Sequence, residues 1–250
     1  MRAVATVDWI YLSAHLDDAV FSCGGLIWEQ AQAGEKVDIW TVCAGDPPPG
    51  SLSTFAESLH ARWNAGRKAV SLRREEDLLS CRQLGAVPRH FSIPDCIYRR
   101  SPLDGTPLYS SDPEIFGSLH PLEAELAAGF SRELKQALPR EAHLACPLGL
   151  GGHVDHQFVR AAAEASGRPL WYYADYPYVL ERSQELEGAT AGMQAVDFPI
   201  SRRGLQAWEE AIAAYDSQVG TFWAHLAEMR SRLHAYQSRV GGVRLWRRFA

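Results

Sequence analysis

The chain has 250 residues, 46% hydrophobic and 22% charged, close to the averages of soluble globular proteins. Such a composition excludes fibrous and disordered classes and leaves room for one sizeable α/β domain. The net charge of -5 supplies no basic field for a phosphate backbone, and its basic residues cluster no further than pairs such as Arg73-Arg74, so nucleic acid is not expected as a partner.

In chain order, residues 9–14 read as a first strand, and a helix is expected from about Asp18. There Val20, Cys23, Gly24, Ile27 and Ala31 recur at helical spacing until Gly34 closes it. A strand at 37–43 leads into a Pro/Gly/Ser-rich loop at 46–53. Residues 71–84 form an amphipathic helix, with Leu72, Leu79 and Leu84 apolar and Arg73, Glu75, Glu76, Asp77 and Arg82 charged, ending at Gly85. A strand at 90–93, a second loop at 98–112, a helix at 121–138 and a strand at 143–147 follow.

A helix at about 154–166 ends at Gly167, and 170–174 is a further strand. Residues 196–200 read as an edge strand, 203–215 and 222–233 as helical stretches covering one sheet edge, and 246–250 as either a docked tail or a disordered one. Strands alternating with helices give an α/β, Rossmann-like open and mainly parallel sheet flanked by helices. Its core spans about 9–180, with 190–250 packing on it as part of a single domain 1–250. Both loops follow strands at the C-terminal edge, where ligands bind in such sheets, and are expected as long substrate loops walling a pocket.

No window approaches the roughly 20 apolar residues of a membrane span, and the N-terminus has no secretory apolar run. The five cysteines are odd in number and set in apolar runs, as buried reduced thiols are, so the expected location is cytoplasmic. A nucleotide-binding reading would draw on Cys23-Gly24-Gly25, but these do not form GxGxxG and fit close-packing positions on a helix instead.

The chemistry concentrates in two clusters at strand ends, each opening a helix: SerAlaHisLeuAspAsp at 13–18 and GlyGlyHisValAspHis at 151–156. Taken singly, Asp17 and Asp18 could simply cap a helix, and His153 and His156 could be structural. Together they supply His15, Asp18 and His156 as two imidazoles and a carboxylate, a common three-ligand zinc set with an open fourth position. Asp17 and His153 are then left over as a base and an acid beside the metal.

These motifs resemble the LmbE-like, or PIG-L, deacetylases, whose signatures are HisProAspAsp near the N-terminus and HisXxxAspHis about 130 residues later. The helix ArgArgGluGluAspLeuLeuSerCysArgGlnLeuGly at 73–85 and SerIleProAsp at 92–95 extend the likeness over roughly residues 9–180. The resemblance implies removal of an N-acyl, usually acetyl, group from an N-acetylglucosamine-type conjugate. It implies zinc (Zn2+), or ferrous iron (Fe2+), on His15, Asp18 and His156, with Asp17 as general base. His153 becomes the oxyanion stabiliser or acid, Asp155 the residue orienting His153, and Arg73 and Asp95 contacts to substrate. Position 16 is Leu and position 19 is Ala where the family usually has Pro and Glu, a variant similar to deacetylases of glycopeptide-antibiotic sugars. The partner is then a small N-acyl sugar conjugate, with a homo-oligomer left open. The rival reading is a non-catalytic, metal-retaining sugar-binding module of the same fold, against which the retention of Asp17 argues.

Overall fold

In the computed structural model, which describes residues 7–248, β1 (Trp9–Ser13) is buried at every position, as a central strand covered on both faces must be. It feeds α1 (Asp18–Gln32) and β2 (Val37–Thr41), then α2 (Thr54–Arg62) and α3 (Ala69–Leu84). After these come β3 (Val87–His90), the short α4 (Asp112–Ile115), α5 (Ala124–Ala137), β4 (His143–Pro147), α6 (Val154–Ala165) and β5 (Leu170–Tyr173). The C-terminal segment comprises α7 (Tyr178–Glu181), α8 (Ser183–Ala189), β6 (Met193–Pro199), α9 (Arg202–Ala213), α10 (Asp216–Phe222), α11 (Leu226–Val240) and β7 (Gly242–Arg248).

The seven strands lie in the order β3-β2-β1-β4-β5-β7-β6. β3, β2, β1, β4 and β5 run parallel, and β7 inserts antiparallel between β5 and β6. The chain steps outward from β1 to β3 and then returns to place β4 against β1, so the topological switch point lies between β1 and β4. The two His/Asp clusters follow those two strands, which brings residues some 140 positions apart to one crevice. One apolar core runs from Trp9 to Trp246 and includes residues of the C-terminal segment. All five cysteines are buried and free, and among the described residues no helix is long and apolar enough to cross a membrane.

Several sequence expectations shift. The strand expected at 90–93 is Val87–His90, because β3 is an edge strand and tolerates Pro88, which has no N–H to offer a second neighbour. Ser92 and Pro94 instead make isolated bridges to Cys43 and Gly45. The loop at 46–53 ends in an unforeseen helix, α2, whose N-terminus is capped by Ser53 Oγ accepting from Ala56 N. Trp246 to Arg248 belong to β7, a strand within the sheet rather than a docked or disordered tail; residues 249–250 lie outside the described residues.

In α3 the expected apolar face holds only in part: Leu84 is fully buried and Leu72 half-buried. Leu79 is 43% exposed, whereas Arg73, Glu76, Asp77 and Ser80 are buried. Each inward polar group of this run except Arg73 has a hydrogen-bond partner: Glu76 accepts from Ser217, Asp77 from Tyr215 Oη at 2.7 Å, and Ser80 donates to Ala211 O. Buried polar groups so satisfied are tolerated inside a fold, and here they fix α3 against the C-terminal segment.

Gly24 and Gly25 are packing positions. The Trp208 indole lies across them and donates from Nε1 to Val20 O at 2.7 Å, and a Cβ on Gly24 would stand 2.5 Å from Trp208 Cδ1. Gly24→Ala is therefore expected to destabilise the protein by about 1–3 kcal/mol through overpacking. Urea unfolding checks this, with a lower midpoint and an unchanged m-value as the expected outcome.

Candidate functional site

The turn after β1 frees its acidic side chains from helix capping. Ser13 Oγ accepts from Ala19 N at 3.0 Å, and Asp17, although it precedes α1, makes no side-chain capping bond. Asp18 Oδ2 accepts from His15 N at 2.6 Å, which folds the turn so that His15 and Asp18 face the same crevice. After β4, Gly149, Gly151 and Gly152 all adopt positive φ, a conformation that swings the chain round before α6. His153 then caps α6, its Nδ1 accepting from Asp155 N at 3.2 Å.

These turns bring His15, Asp17, Asp18, His153, Asp155 and His156 to one crevice, which Arg73 of α3 and Asp95, beyond β3, also reach. Asp18 Oδ2 stands 3.3 Å from His15 Nδ1 and 3.4 Å from His156 Nε2. Donor atoms around a zinc ion with tetrahedral bonds of about 2.0–2.1 Å are roughly 3.3–3.4 Å apart, so both separations suit shared coordination. His156 Nε2 is buried and has no hydrogen-bond partner, while its Nδ1 bonds Asp175 Oδ1 at 2.6 Å. A ring oriented by a carboxylate on one nitrogen and bare on the other is what a metal-binding histidine requires. One nitrogen from each of His15, His153 and His156 also falls within 4.8 Å of the others. The donor set present therefore fits a divalent metal.

Arg73 Nη2 lies 3.6 Å from Asp17 Oδ2 and its Nη1 3.8 Å from Asp95 Oδ2, with the guanidinium over the Trp63 ring at 4.9 Å. Asp155 departs from expectation. Its carboxylate meets His15, accepting at Oδ2 with His15 Nε2 at 2.9 Å and Cys96 N at 3.0 Å, and its only bond to His153 is through the backbone N–H. The side chain orients His15, not His153.

The electrostatics separate the two adjacent aspartates. Burial and the Asp18 charge push the Asp17 carboxyl up to about 7, against the opposing pull of Arg73. Burial acts the same way on Asp18, but His156 and His15 outweigh it and hold Asp18 well below the usual carboxylate range. Burial, with His15 and His156 alongside, keeps His153 well below the ordinary imidazole value. A neutral His153 whose Nδ1 accepts a backbone N–H carries its single ring proton on Nε2.

The crevice opens into a cavity of about 110 Å³ whose floor holds His15, Asp17, Asp18 and His153. Its walls are not the loops at 46–53 and 98–112 themselves, of which only Asp112, at the end of the second, contributes. They come from the elements that follow those loops, through Leu59, Arg62 and Trp63 in and after α2 and Ile115 and Phe116 in and after α4. Tyr178 of α7 and Gln218, Thr221 and Phe222 of α10 complete it, so the C-terminal segment reaches the site; its helix α9 packs on α1 and α3 rather than covering a sheet edge, which β7 and β6 extend. Sequence reading missed Asp175, whose only signal is its place just past the C-terminal end of β5. It missed Arg99 as well, whose guanidinium is paired with Asp155.

A mainly parallel sheet with paired His/Asp clusters at its switch point thus sets a cavity over a donor set suited to a divalent metal. The chain belongs to the PIG-L family, whose model, GlcNAc-PI de-N-acetylase, matches residues 10–166. It is 26% identical over 242 residues to the 2'-N-acetylparomamine deacetylase of Niallia circulans, covering 89% of this chain and 84% of that protein. The namesake enzyme of Streptomyces fradiae is 31% identical over 187 residues, 69% of this chain and 58% of its own length. Among solved structures, the zinc-inhibited form of teicoplanin deacetylase superposes with a TM-score of 0.78 at 28% identity, covering 96% of this chain and 97% of the other. A family of de-N-acetylases and relatives named as deacetylases support a hydrolytic deacetylase over a non-catalytic binding module.

Proposed function

We propose that the chain is a zinc-dependent hydrolase that removes the N-acetyl group from an aminosugar conjugate, with His15, Asp18 and His156 holding the metal. The observation that carries this reading is the buried, unpartnered His156 Nε2 facing Asp18 Oδ2, beside an Asp17 carboxylate committed to no helix cap. The two-imidazole, one-carboxylate set suits zinc and also admits ferrous iron. When bound, such a metal polarises the amide carbonyl and activates water.

The remaining steps belong to the side chains. Asp17 accepts the proton of the attacking water, and its raised pKa equips it to pass that proton to the nitrogen as the C–N bond breaks, releasing acetate and a free amine. His153 donates its Nε2 proton as a hydrogen bond to the developing oxyanion and stays neutral throughout, so it acts as an electrophilic donor more than as an acid. Asp95 provides acceptor oxygens for sugar hydroxyls. Trp63, Phe116, Tyr178 and Phe222 offer ring faces against which a pyranose can pack.

Arg73 serves both binding and base. Arg73→Met is expected to raise KM for the sugar substrate, as loss of uniform binding does. Because the guanidinium lowers the Asp17 pKa, its removal raises that pKa, and the acid limb of the kcat/KM profile should move to higher pH. A pH profile with unchanged KM and an unmoved acid limb would remove Arg73 from the site's working groups.

The substrate class is tested by incubating the protein with N-acetylated amino sugars and their glycoconjugates, including N-acetylparomamine-type and glycopeptide-linked sugars, and measuring acetate. Chelator-sensitive release from at least one of these is the expected result. No release across the panel would contradict the proposed substrate class.

A further inference from the structure

One set of buried polar groups that this chemistry leaves unused forms a chain leading away from the site. Asp155 Oδ1 accepts from Arg99 Nη2, Arg99 Nε lies 2.6 Å from Glu123 Oε1, and Glu123 Oε2 accepts from Tyr109 Oη at 2.6 Å. Tyr109 Oη in turn accepts from His120 N at 2.8 Å. Tyr109, Glu123 and Arg99 are at most 5% exposed and Asp155 is fully buried. The Arg99 guanidinium also lies near the rings of Tyr109 and Phe158, 5.8 and 5.6 Å from their centroids.

Burying one arginine between two carboxylates is costly, and apolar residues of similar volume often serve stability as well or better. Stability alone is thus a poor account of the cluster. Its end at the site is informative: Asp155 Oδ2 sits between Cys96 N and His15 Nε2, while Oδ1 is taken by Arg99. With both oxygens held, the carboxylate has one orientation, and the His15 ring that bonds it has its Nδ1 aimed at Asp18.

We infer that Arg99 is a positioning residue for the metal site: gripped by Glu123 and Tyr109, it fixes the Asp155 carboxylate and through it the ring of His15. This rests on the reading of His15 as a metal ligand. The grip ties metal affinity to the segment from Arg99 to Glu123, which also supplies Ile115 and Phe116 to the cavity wall.

The test is zinc affinity of the full-length protein, measured by competition with a chelating dye. Arg99→Met should weaken zinc binding by roughly 10–100-fold, the usual effect of losing a partner that orients a metal ligand. Arg99→Lys, which keeps the charge but can grip fewer oxygens, should recover part of the loss. Glu123→Gln and Tyr109→Phe, each nearly isosteric, should weaken binding less than Arg99→Met and leave KM of the zinc-saturated enzyme unchanged. If Arg99→Met does not fold, these two variants decide the matter. Wild-type protein that takes up no zinc would overturn the metal reading and this inference with it. Tight zinc binding by wild type, Glu123→Gln and Tyr109→Phe alike, and by Arg99→Met where it folds, would overturn the positioning role alone.

Discussion

Asp17→Asn is expected to bind zinc as the wild type does, to melt within a degree or two of it, and to lose about 10²–10⁴ in turnover, the usual yield of a general base. The structure makes this a clean substitution. Asp17 makes no capping bond, and Ser13 Oγ already serves the first turn of α1, so helix and turn keep their shape when the charge is removed. Asn cannot accept the water proton. Metal content, melting temperature and acetate release measured on the same preparations check the three parts together. Wild-type activity in the variant would reduce Asp17 to a bystander, and loss of zinc would exchange its role with that of Asp18.

His156→Ala and His153→Ala should separate binding from chemistry. His156 Nε2 faces Asp18 and its Nδ1 is fixed by Asp175, so truncation should abolish stoichiometric metal uptake and activity together. His153→Ala should retain the metal and lose about 10²–10³ in kcat, the typical effect of removing one oxyanion donor. The alternative is concrete, since a nitrogen of His153 lies within 4.8 Å of nitrogens of His15 and His156, close enough for a three-imidazole set. Loss of metal from His153→Ala, with retention in Asp18→Ala, would select that set instead.

The convergence of the two His/Asp clusters was largely legible in the sequence because each cluster is local. His15, Asp17 and Asp18 occupy one turn and His153, Asp155 and His156 another, and an α/β alternation alone puts both turns at one sheet edge. The supporting groups were not legible, since they arrive from elements that carry no motif. Asp175 reaches His156 from beyond β5, and Arg99 reaches Asp155 from 56 positions away. Asp155 itself was recognised but assigned the wrong imidazole, because sequence proximity favours His153 while the crossover between β1 and β4 delivers His15 to its carboxylate. Patterning misled at α3, where a helix lining a polar site turns Arg73, Glu76 and Asp77 inward and leaves Leu79 outside. It was also silent on β7, where ValArgLeuTrpArg alternates too briefly to distinguish a strand inside the sheet from a tail.

Deacetylation is expected to require one divalent metal, held by His15, Asp18 and His156. The most direct test is to strip the protein with a chelator and titrate zinc back while following acetate release from an N-acetyl aminosugar conjugate. Activity should be absent without metal, rise with added zinc and saturate at one equivalent per chain, as a single three-ligand open site demands. Full activity in protein verified to be metal-free would contradict the account.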